Sequence, residues 1–117
     1  MALDPQALLK IAMRAAGEKK AYDLTVLDIR KVSIIADYFL ICTGRSLIHV
    51  QGIAREIIET IAKETGVHPR TEGMRGGRWI LLDYGDLIVH VFVEEERQFY
   101  NLERLWGDAG ELNSAEL

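Results

Sequence analysis

Two apolar segments, Trp79–Tyr84 and Leu87–Val93, are separated only by Gly85-Asp86. Runs rich in Val, Ile and Leu around a glycine–aspartate pair are the mark of a tight β-hairpin. A two-residue turn leaves one register. It sets Tyr84 opposite Leu87, Asp83 opposite Ile88, Leu82 opposite Val89, Leu81 opposite His90, Ile80 opposite Val91 and Trp79 opposite Phe92. Alternation along each strand then sorts the side chains onto two faces. One face holds Ile80, Leu82, Tyr84, Leu87, Val89 and Val91 and belongs to a core. The other holds Trp79, Leu81, Asp83, Ile88, His90 and Phe92. That face is still largely apolar, so it is either covered by another helix or offered to a partner.

The remaining chain supplies what such a hairpin packs against. Asp4 and Pro5 form a helix start, and Leu8, Ile11, Ala12, Ala15 and Ala16 recur at helical spacing up to Gly17. Leu24–Ile29 reads as a short strand. Tyr38–Thr43 is a continuous apolar run, as expected of a strand buried on both faces. Ser46 caps a second helix, in which Val50, Ile53, Ala54, Ile57, Ile58, Ile61 and Ala62 form one apolar stripe up to Gly66. Thr71–Arg78 is glycine-rich and reads as a mobile loop. Phe99, Leu102, Leu105 and Trp106 mark a final short helix starting near Glu95. The order helix, strand, strand, helix, hairpin, helix gives an α+β domain with a mixed β-sheet flanked by helices. One domain is expected over residues 1–107, with residues 108–117 as an acidic, fraying tail.

Charge and cysteine content narrow the function classes. With 117 residues and a net charge of −4, the chain lacks the basic balance of a duplex-binding protein. The acid excess is local: Glu94–Leu117 carries −5 and the first 93 residues +1. This is a solvated helix start and tail, or an acidic patch that steers a basic partner. No apolar run approaches the ~20 residues of a membrane span. The lone Cys42 forms no internal disulfide, and the first residues lack the charge and apolar run of a secretion signal. A cytoplasmic location is expected.

Candidate chemistry is sparse. Cys42, His49, His68 and His90 show no metal-ligand spacing, so neither metal nor cofactor is expected. Ser46 and Cys42 are explained as a cap and a core residue. Thr43-Gly44-Arg45-Ser46 joins a buried strand to a helix, which is an anion site in principle. Nucleotidyl transfer also needs a pair of metal-binding carboxylates, usually two residues apart on a strand. Asp83 and Asp86 straddle a turn, and Glu94 and Glu96 open a helix. Arg70, Arg75 and Arg78 could meet RNA phosphates but lack interleaved aromatics.

Three longer strings carry a specific resemblance. They are Ala36–Gly44 with Ser46 and His49-Val50, then Trp79 through Leu82–Asp86 to Val89–Phe92, then Glu95, Arg97, Phe99, Tyr100, Leu102, Glu103, Leu105 and Trp106. Together they resemble the ribosomal silencing factor, or Iojap, family over residues 4–109. Arg45 departs from the small or hydroxyl residue frequent there. The resemblance implies a nucleotidyltransferase-like fold that is catalytically inactive. It implies binding to the large ribosomal subunit through its protein fourteen, a block on joining with the small subunit, and repression of translation under nutrient limitation. By family analogy the strand beginning at Trp79 carries partner contacts. Together with the hairpin faces, this makes Trp79, Leu81, Asp83, Tyr84, His90 and Phe92 the candidate partner-binding residues. RNA contact is at most secondary, and the apolar hairpin face is compatible with a homodimer of the free protein. A nucleotidyl-transferring enzyme and a stand-alone RNA-binding domain are the competing readings.

Overall fold

The structure, a computed structural model, describes residues 4–100 and 110–112. Helix α1 (Pro5–Glu18) starts where Asp4 accepts a hydrogen bond from the Gln6 backbone N–H. Strands β1 (Tyr22–Asp28) and β2 (Tyr38–Gly44) follow, and then helix α2 (Leu47–Thr65), capped by Ser46, which accepts from the His49 N–H at 3.1 Å. Next come β3 (Arg70–Glu72), β4 (Trp79–Asp83), β5 (Leu87–Val93), α3 (Glu94–Tyr100) and β6 (Gly110–Leu112).

These strands form one six-stranded sheet in the order β3-β4-β5-β2-β1-β6. β2 and β5 run parallel at its centre, and the other neighbours pair antiparallel. The hairpin register is the one set by the two-residue turn, from Trp79 opposite Phe92 to Asp83 opposite Ile88. Every residue of β2 is buried, as its unbroken apolar run requires of a central strand.

Both long helices lie against one face of the sheet. Leu8, Leu9 and Ala12 of α1 and Val50, Ile53, Ile57 and Ile61 of α2 pack with Tyr38, Leu40, Cys42, Ile80, Leu82, Val89 and Val91 in the main core. On the opposite face a second cluster gathers Leu27, Ile29, Ala36, Phe39, Ile41 and Phe92, with Trp79 and Ile88 at its edge. No residue of α1 or α2 belongs to it. The second hairpin face is therefore not closed by either long helix.

Three sequence expectations change. The glycine-rich segment is pinned: the Gln51 amide donates to the Met74 and Arg75 carbonyls at 2.9 and 3.1 Å, and Gly77 N–H donates to Gly73 C=O. A side chain at Gly77 would come 2.9 Å from the Leu47 carbonyl oxygen, so this close approach to α2 requires glycine. Part of that segment is strand β3, whose three residues are all exposed and therefore lack hydrophobic alternation. Gly110–Leu112, inside the tail expected to fray, pairs with β1 as strand β6. The helical positions Leu102, Leu105 and Trp106 lie outside the described residues.

Candidate functional site: an aromatic sheet face

The face not occupied by α1 and α2 is organised around Trp79. Its indole N–H donates to His90 Nδ1 at 3.0 Å, and its ring stacks on Phe92 with centroids 4.9 Å apart. The Phe39 ring meets His90 edge-on at 4.7 Å. These contacts follow from pairing: Trp79 lies opposite Phe92, and Phe39 of β2 lies opposite Ile88, diagonal to His90 on the same face. Cross-strand aromatic pairs of this kind hold their rings in fixed positions.

His90 is 4% exposed. Burial pulls its pKa down to about 4, so the ring is neutral near pH 7. Because Nδ1 accepts from Trp79, the proton of the neutral imidazole sits on Nε2. That nitrogen is buried without a hydrogen-bond partner.

The six candidate partner residues do not form one exposed set. Trp79, Leu81 and Asp83 share the face away from α1 and α2 and are partly exposed along its β4 edge. His90 and Phe92 share it too, but they are buried and act as the floor that holds Trp79. Tyr84 stands apart, packing against the main core on the other side of the sheet. It follows the alternation of the hairpin, which turns Tyr84 away from Asp83. Asp83 accepts a hydrogen bond from the Gly85 N–H at 2.8 Å, which stabilises the turn.

The other chemistry-bearing residues have structural occupations. Cys42 is fully buried, and desolvation pushes its thiol up to about 12. His49 Nδ1 accepts from the Arg45 N–H at 2.9 Å and its Nε2 lies 2.7 Å from the Lys19 carbonyl, tying α1 to the start of α2. The Asp86 carbonyl accepts from the Asp37 and Tyr38 N–H groups. Among the described residues no group of three or more His, Cys, Asp or Glu is placed to hold a metal ion. Arg70, Arg75 and Arg78 are exposed, and Arg78 lies 3.7 Å from Glu96.

Spacing alone did not single out the role of Arg97. From α3 its guanidinium donates to the hydroxyls of Thr43 and Thr25, at 2.7 and 2.9 Å, and to the Asp23 carbonyl. It spans the irregular start of β1, where the register shifts between Tyr22 and Thr25 and Asp23 has φ +51°. The threonines and the arginine are distant in sequence, so no local motif announces the clamp.

Architecture and site together define an α+β protein with a mixed six-stranded sheet whose most organised surface is a sheet face. The profile of a family described as "Ribosomal silencing factor during starvation" matches residues 2–117. A Bacillus subtilis protein named ribosomal silencing factor RsfS is 49% identical over 108 residues, covering 92% of this chain and 91% of the relative. A maize protein named Iojap, chloroplastic, is 33% identical and aligns over 82% of this chain and 42% of its own length. A crystal structure of a Chromobacterium violaceum protein superposes with a TM-score of 0.85 at 33% identity, covering 90% of this chain and 88% of the other. A Bacillus halodurans crystal structure gives 0.80 at 42% identity, covering 92% and 98%. The chain belongs to the ribosomal silencing factor family.

Proposed function

We propose that this protein binds the large ribosomal subunit on its subunit-joining face, through protein fourteen, and blocks association with the small subunit. Translation is thereby repressed, chiefly when nutrients are limiting, and the work is done in the cytoplasm without catalysis. The observation that carries this reading is the sheet face around Trp79. Its indole is fixed by His90 and Phe92 before any partner arrives, and neither long helix occupies the surface. Preorganised aromatic side chains are the usual centres of binding energy at protein interfaces. Family membership supplies the ribosome as the partner. RNA contact from Arg75 or Arg78 is secondary in this reading.

Occupying the joining surface is a binding equilibrium, so inhibition should be stoichiometric. The test is light scattering during subunit joining at increasing amounts of protein. Inhibition should saturate near one copy per large subunit. Inhibition at a small fraction of a copy, or fast splitting of preformed ribosomes, would overturn the reading.

A further inference from the structure

Beside Trp79 the sheet ends in a groove of about 280 Å³ lined by Glu72, Gly73, Trp79 and Leu81. Its geometry follows from the pairing of β3 with β4. Arg70 lies opposite Asp83 and Glu72 opposite Leu81, so all four lie on the face that carries Trp79. Across the pair, Arg70 and Asp83 are of opposite charge. Glu72 instead faces an apolar partner, and among the described residues it makes no ion pair. The chain closes the groove at Gly73, with φ +82°, where an added Cβ would fall 2.1 Å from the Trp79 carbonyl oxygen. The result is an uncompensated carboxylate at the rim of an apolar slot, with an immobilised indole as one wall.

We infer that this groove takes an arginine side chain from the protein partner. This rests on the proposed function and gives the docking face a specific chemistry. The aliphatic stem of arginine suits Leu81, its planar guanidinium suits the indole face, and its charge suits the Glu72 carboxylate. Lysine matches the charge but not the plane. The carboxylate also explains why a net-acidic chain would dock on a basic protein surface at this edge of the sheet.

The experiment is equilibrium binding to purified large ribosomal subunits at several salt concentrations, with wild-type protein, Glu72→Gln and Glu72→Lys. Glu72 is exposed, so both variants should unfold at the wild-type temperature. Glu72→Gln should bind on the order of tenfold more weakly and respond less steeply to salt. Glu72→Lys should lose more. Wild-type affinity in Glu72→Gln overturns the groove assignment while leaving the proposed function standing. Weaker binding with an unchanged salt response identifies a neutral donor and overturns the arginine. Failure of the wild-type protein to bind large subunits overturns the proposed function, and this inference with it.

Discussion

His90 is a polar residue held among aromatic rings, and its protonation has a direction that can be worked out. Its pKa is pulled from 6.5 to about 4 by burial, so between those values the unfolded chain binds the proton and the folded one does not. Its contribution is therefore complete above pH 6.5 and is lost as pH falls towards 4, by at most ~3 kcal/mol. Asp28, held low by its hydrogen bonds from Arg30, adds acid sensitivity only below the ordinary carboxylate range. Urea unfolding of the wild type across this window should show the slope, and His90→Phe should flatten it. A wild-type stability unchanged from pH 6.5 to 4 would refute the assignment. In the proposed reading Trp79 has two jobs at once, since it is partly exposed yet bonded to His90. Trp79→Ala should weaken binding to large subunits by ~2 kcal/mol or more and also lower the unfolding temperature. Trp79→Phe keeps a ring but leaves His90 Nδ1 without its donor, so it should recover more affinity than stability. Alternation along the strands is enough to put Trp79 and His90 on one face. The hydrogen bond between them is not legible in the sequence, because it depends on side-chain rotation rather than on spacing.

At the scale of elements, legibility follows how much apolar pattern an element carries. α2 buries Val50, Ile53, Ala54, Ile57 and Ile61, and β4 buries its alternate residues Ile80 and Leu82, while β5 is buried almost throughout; helix and hairpin have the expected register. β3 buries nothing, and its strand character comes only from hydrogen bonding to β4. The glycines of its connector look like flexibility in a sequence, yet two of them are close-contact residues. Gly73→Ala places a methyl group against the Trp79 backbone at φ +82°, and should destabilise by ~2–4 kcal/mol and loosen β3. Gly76→Ala meets nothing within 4 Å and should change stability by no more than ~0.5 kcal/mol. Chemical denaturation of the two variants checks the contrast. Equal effects would mean that the connector is not held as described.

At the scale of the molecule, the two faces of one sheet are packed differently. The helical face closes the main core, and the aromatic face presents Trp79 and the groove beside it. Alternation assigns the wholly apolar face of Ile80, Leu82, Val89 and Val91 to the core, and α1 and α2 do pack there; what packs on the face with Asp83 and His90 is not legible from the pattern. The central pair also sets the order in which the molecule can come into being. β2 joins β5 in parallel, with Tyr38 beside Leu87, so the middle of the sheet is closed by segments 49 residues apart. Until β5 exists, β2 has only β1 beside it, and its apolar residues have nothing on their other edge. A growing chain thus passes the whole of α2 before its first strands can be buried, and loop closure over that span precedes the gain from burial. Folding should accordingly be a single late event that includes both halves of the chain, with no stable product from the first half alone.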